Sequence, residues 1–175
     1  MAPDGWEYYA TEIAAGGEDY FVGHGEENGC WIGRGAACLG LLGEVESVGL
    51  ARLFGAGCDP VSGEPLGRLV APERRSVAGF ALSFSPPKSV SILWGLGPDE
   101  TAAEVRAGHD AAVLAAVEFL QDHAGFCRRG HAGIVQEATS GYVAAAFVHR
   151  TSRTLDPQLH THVLVANRVQ AVSDG

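Results

Sequence analysis

With 175 residues, 46% of them hydrophobic and 19% charged, the chain has the composition of one globular domain, long enough to bury a core. No stretch approaches the ~18 consecutive apolar residues of a membrane span, and the first residues lack a basic-then-apolar signal pattern; a membrane protein is excluded and a cytoplasmic location is expected. The net charge of −9 excludes a generically basic nucleic-acid binder, but residues 1–64 hold eleven acids against Arg34 and Arg52, whereas residues 65–175 balance ten acids with ten bases.

Eleven of the twelve bases are arginine, the side chain suited to bidentate phosphate contacts, and Arg150, Arg153 and Arg168 lie close in sequence to a histidine cluster. The cysteines at 30, 38, 58 and 127 form no C-x-x-C pair and read as free thiols.

In chain order, residues 6–15 read as a short helix with Asp4 as N-cap and Gly16-Gly17 as its stop. Residues 23–35 are glycine-rich and read as loop. Residues 45–54 suit a second short helix ended by Gly55, and residues 59–65 carry turn chemistry. A strand over 76–85 stops at Pro86-Pro87, and a helix follows over 88–96. Thr101 and Glu104 form a capping box for the longest helix, which runs to His123 with Val105, Ala112, Val113, Ala116 and Leu120 on one face. Residues 133–139 and 141–149 read as strands around a Ser-Gly turn, and residues 158–172 as the last strand. These elements predict an α+β fold: a two-layer sandwich with a central antiparallel sheet and helices packed on it.

The most informative stretch is HRTSRTLDPQLHTHVLVAN at 149–167. His160 and His162 sit at i and i+2 of a strand, so both imidazoles leave the same face, and His149 closes the preceding strand. Two such rings can converge on one ion at about 2.0–2.1 Å, and a third leaves coordination positions open for substrate. The run VLVA at 163–166 is fully apolar, which places this strand centrally, and imidazoles there need partners that a shared metal supplies. A histidine-triad hydrolase would need a further histidine where Leu164 stands, so that reading fails.

The segment resembles the metal-binding motif of the conjugative relaxases of the TrwC/TraI (MobF) class, within the HUH endonucleases. FSPPKSVS at 84–91 is similar to that family's F-S-x-P-K-S motif, and GRGAACLG at 33–40, with Trp31 before it, to its W-x-G-x-G-A-x-x-L-G segment. Four segments in the right order span residues 6–175. The resemblance implies one relaxase-type catalytic domain over residues 1–175, incomplete at both ends.

Such relaxases cut one DNA strand with a tyrosine hydroxyl, leaving a 5′-phosphotyrosyl link and a free 3′-OH. Tyr8-Tyr9 matches the first of the family's tyrosine pairs, and Tyr20-Phe21 the second with its last member replaced. Tyr8 is the expected nucleophile, Tyr9 the alternate, and Tyr20 the candidate for strand closure. His149, His160 and His162 are the expected metal ligands; Arg153 and Lys88 are the candidate phosphate or DNA contacts. Imidazole-only ligation favours Zn or Ni on affinity, whereas the resemblance implies Mg or Mn in catalysis. Implied partners are single-stranded or hairpin DNA at an origin of transfer and other relaxosome proteins.

The family usually carries an Asp where Ala81 stands, a partner that orients a metal histidine or helps deprotonate the tyrosine, with Glu137 or Asp156 as substitutes here. Two further readings follow: an impaired relaxase that keeps metal and DNA binding, and an unrelated metal-dependent phosphoesterase that would need neither Tyr8 nor Tyr9.

Overall fold

The protein, in a computed structural model that describes Glu7 and residues 28–67, 77–152 and 154–174, is built on a four-stranded antiparallel sheet. Its strands are β1 (Cys30–Ile32), β2 (Gly79–Phe84), β3 (Phe126–Arg129), β4 (Val135–Ala138), β5 (Ala144–Thr151) and β6 (Pro157–Ala166). The main sheet has the order β1-β5-β6-β2, while β3 and β4 form a separate hairpin. The helices are α1 (Arg34–Cys38), α2 (Ser47–Leu50), α3 (Lys88–Leu96) and α4 (Asp99–Ala124), and α2 runs on into a π-helical turn over Ala51–Ala56.

The central strands are apolar over Ala144–Val148 of β5 and Val163–Ala166 of β6, so both faces of that half of the sheet can be buried. Ala144, Ala146, Val163 and Val165 pack under Val113 and Val117 of α4, the alanines allowing the long helix a close approach. Ala145, Phe147, Leu164 and Ala166 point the other way, onto Ala36, Leu50, Leu53 and Phe54. The expected α+β class holds, with α4 on one face of the sheet and the α1–α2 region on the other.

Several boundaries differ from the sequence expectation. β1 lies inside the stretch read as loop; its three residues are too few to show periodicity, and register with β5 defines it. The helix expected over 45–54 extends to Ala56 and stops at Gly57, whose φ of +71° ends it in the left-handed conformation. α4 starts at Asp99, with Pro98 as N-cap and Asp99 and Glu100 in its first turn, which leaves Thr101 and Glu104 inside the helix rather than as a capping box. Val135–Ala138 pairs with β3, so the two strands around Ser140-Gly141 belong to different sheets. β6 ends at Ala166, and residues 172–174 form a 3-10 turn. Cys30, Cys38, Cys58 and Cys127 are thiols, in no disulfide with one another. The helix expected over residues 6–15 lies outside the described residues, Glu7 apart. Among the described residues no helix is long and apolar enough to cross a membrane.

Candidate metal centre

His149 on β5 lies directly opposite His160 on β6, and His162 is flanked by Phe147 on β5 and Ser83 on β2. Opposite residues in an antiparallel pair share a face, so the three imidazoles leave the face turned away from α4. Their ring centroids form a near-equilateral triangle: 5.1 Å for His149–His160, and 5.0 Å for both His149–His162 and His160–His162. Three imidazoles holding one ion at ~2.1 Å would place their centroids roughly 4.5–5.2 Å apart, so the spacing fits a shared ion.

Ring orientation is partly set. His160 Nδ1 lies 2.9 Å from the Gln158 carbonyl, which can only accept, so Nδ1 carries the proton and Nε2 presents a lone pair. His149 is 6% exposed and its ring is stacked on His160 at 22°, while His162 stands edge-on to both. Among the described residues no group of three or more His, Cys, Asp or Glu side chains is placed, as the rings stand, to hold a metal ion.

The FSPPKSVS segment holds the strand that carries two of these histidines. Gln158 Nε2 donates to Ser85 Oγ at 2.8 Å. Lys88 Nζ pairs with Asp156 and donates to the Pro157 carbonyl at 2.8 Å and to Gln158 Oε1 at 3.2 Å. Ser91 is fully buried, and its Oγ accepts the Leu159 N–H at 3.2 Å. Three polar residues of one motif thus grip residues 156–159, immediately before His160. The Lys88 hydrogen bond, with help from Ser152 and Thr154, lowers the Asp156 carboxyl below its ordinary range. Lys88, a candidate DNA contact, is solvent-exposed and directed at the 156–158 backbone and side chains.

The GRGAACLG segment has a packing role. The Arg34 and Tyr142 backbone N–H groups donate to Gln121 Oε1 at 2.8 and 3.0 Å, which fastens the start of α1 and the approach to β5 onto α4. A Cβ at Gly33 would lie 2.4 Å from the Tyr142 carbonyl oxygen, and φ there is +96°, so only glycine fits. Gln121 and His109, both buried, end the α4 stripe His109-Val113-Val117-Gln121. The face expected from the sequence, Val105, Ala112, Val113, Ala116 and Leu120, shares only Val113 with this stripe; Ala112 is exposed, and the buried i, i+4 series runs through Val117 to a polar residue at each end.

Other expected site residues fall elsewhere. Tyr8, Tyr9, Tyr20 and Arg153 lie outside the described residues. Arg168 donates to the Leu66 carbonyl at 2.6 Å and so ties down the loop after α2 instead of lining the histidines. Ala81 is exposed and pairs with Leu164, which puts its methyl on the imidazole face, two residues from Ser83. Neither suggested substitute replaces an Asp there: Glu137 sits in the β3–β4 hairpin against Arg129 at 3.4 Å, and Asp156 is held by Lys88.

The multifunctional conjugation protein TraI of Escherichia coli is 39% identical over 140 residues, 80% of this chain and 8% of that protein. A copper-bound structure of the conjugative relaxase TrwC in complex with oriT DNA matches with a TM-score of 0.75 and 34% identity, covering 99% of this chain and 58% of that one. TrwC complexed with a 27-mer DNA comprising the recognition hairpin and the cleavage site matches with a TM-score of 0.65 and 32% identity, covering 92% and 56%. The chain thus spans a small part of the curated relative and little more than half of each solved relaxase. A family model described as TrwC relaxase matches residues 2–175, and the chain belongs to the TrwC relaxase family.

Proposed function

We propose that the chain carries the strand-transfer centre of a conjugative relaxase: it nicks single-stranded DNA at an origin of transfer through a tyrosine, with a divalent metal held by His149, His160 and His162. The observation that carries this reading is the imidazole triangle on facing central strands, its three centroid distances between 5.0 and 5.1 Å. A TrwC of the same fold, 34% identical, binds copper and oriT DNA, which supports carrying both ligands over.

The reaction exchanges one phosphodiester for another. The Tyr8 oxygen, or Tyr9 in its place, attacks phosphorus; the P–O3′ bond breaks, and the departing O3′ takes a proton to become the 3′-OH. The 5′ phosphate remains esterified to the tyrosine. Reversal, by attack of a 3′-OH on that ester, needs no ATP, and Tyr20 is the candidate for the second transfer. A phenol with pKa near ~10 must lose its proton during attack. A divalent ion, when bound, withdraws charge from the non-bridging phosphate oxygens. His149, His160 and His162 would hold that ion through ring nitrogens, and the Ser85–Lys88–Ser91 clamp keeps His160 in register. Arg153 is the candidate phosphate contact.

Imidazole donors favour Zn, Ni or Cu on affinity, and the relaxase reaction runs on Mg or Mn. DNA at an origin of transfer, including its hairpin, is the proposed substrate, relaxosome proteins the proposed partners, and the cytoplasm the proposed location. Ala81 favours a second reading, a relaxase with slowed chemistry, because the imidazole face carries a methyl where the family usually places a carboxylate.

The test is incubation with Mn²⁺ and a randomised labelled single-stranded DNA library, followed by a denaturing gel. A covalent adduct that disappears in Tyr8→Phe or Tyr9→Phe supports the proposal. Cleavage that survives both substitutions points to a phosphoesterase instead, and metal binding with no adduct points to the impaired reading.

A further inference from the structure

α4 lies behind β6, on the face opposite the three imidazoles, and buries Val113 and Val117 against the sheet. One turn earlier on the same stripe an aliphatic residue is expected, and His109 stands there, 9% exposed. Its Nε2 lies 2.8 Å from Oγ1 of Thr161, which is 2% exposed. Thr161 is the residue between His160 and His162, and its strand neighbours are Val148 and Phe84. A hydroxyl buried this deeply is destabilising if left without a partner. His109 supplies that partner from the helix.

We propose that His109 is a positioning residue for the metal centre, acting through Thr161 to fix the pleat of β6 between its two metal-ligating histidines. The inference rests on the reading of His149, His160 and His162 as a metal site. Thr161 and its two neighbours share the peptide planes on either side of Thr161. Anchoring Oγ1 to α4 restrains a stiff β-branched side chain and with it those two planes, which aim the Cα–Cβ bonds of His160 and His162. A tilt of about 10° in either bond moves a ring nitrogen by roughly 0.8 Å, against a tolerance of about 0.2 Å in metal–ligand distance. The imidazole face is thus aimed partly from the opposite side of the sheet.

Co²⁺ titration followed by its d–d absorption, alongside the melting temperature of the metal-free protein, tests this on the 175-residue chain. Thr161→Val keeps shape and burial but removes the hydroxyl; His109→Leu removes the other partner. Each is expected to weaken Co²⁺ binding about 10–100-fold and to alter the d–d spectrum, and the double variant to be no weaker than either single one. His109→Gln, which has room beside the open cavity of about 580 Å³ bordered by Phe84, Val105 and Gly108, and Thr161→Ser are expected to stay within about threefold of wild type.

A lower melting temperature with Co²⁺ affinity and spectrum unchanged in Thr161→Val would assign the pair to core stability and overturn the proposal. Additive losses in the double variant would also overturn it. If His109→Leu fails to fold, Thr161→Val against Thr161→Ser decides. Wild type that binds no Co²⁺, or binds it equally well in His160→Ala, removes the metal reading itself and this proposal with it; loss of binding in His160→Ala alone removes only the proposal.

Discussion

His149 and His160 face each other across β5 and β6 with their rings stacked at 22° and centroids 5.1 Å apart, His149 being almost fully buried. His160 and His162 are half-buried beside it, and the three rings face one another at a spacing that suits a shared ion. The backbone that carries them is held from three sides: by ladder pairing to β5 and β2, by the FSPPKSVS segment, and by α4 through Thr161.

Ala81 makes the chain improvable. Its side chain is exposed on the imidazole face, so Ala81→Asp adds a carboxylate without a steric penalty. The variant is expected to form the DNA adduct about 10–100-fold faster than wild type. Single-turnover rates with Mn²⁺ check this, and an unchanged rate would show that this chain does not use that position.

Lys88 has two incompatible roles to choose between. Held by Asp156, Pro157 and Gln158, it should act on the 152–158 loop: Lys88→Met is expected to speed amide exchange there and leave the salt dependence of DNA binding unchanged. A direct phosphate contact would instead reduce the log–log salt slope by about one with the loop undisturbed.

Much of the site was legible because its chemistry is compressed into one segment. His149, His160 and His162 fall within fourteen positions, and the alternation over 160–162 followed by an apolar run defines both the face and the strand's central place. What escaped was long-range and polar. Gln121 lies 87 residues from the Arg34 N–H that it receives and His109 lies 52 from Thr161, and on a helix pattern each reads as a break in an apolar stripe. β3, the partner of the expected strand over 133–139, escaped because Phe126–Arg129 is short and nearly all exposed, so no buried face imposes a period of two.

Gln121 is the test of that polar stripe. Gln121→Met preserves volume but leaves the Arg34 and Tyr142 N–H groups without an acceptor. Urea unfolding is expected to show a loss of about 2–6 kcal/mol, from ~1–3 for each of the two stranded donors. A loss below about 0.5 kcal/mol would mean that water replaces both bonds.

Acid should weaken the fold through His109. Burial lowers its pKa below the ordinary value of 6.5, against the opposing pull of Asp110. Between the folded and unfolded values the unfolded chain binds the extra proton, so stability is full above about 6.5 and declines as pH falls below it. His109→Gln removes that contribution, so between pH 7 and 5 the variant's unfolding free energy should fall less steeply than wild type's. Parallel curves would contradict the assignment.

The central claim is that His149, His160 and His162 hold one divalent ion. Crystals soaked in Mn²⁺ or Co²⁺ and measured at the metal's absorption edge test it most directly. The account predicts one anomalous peak about 2.0–2.2 Å from a nitrogen of each of the three imidazoles, with the remaining positions open to solvent. A peak seated on the cysteines or on the β3–β4 hairpin, with the imidazoles still stacked, would contradict it.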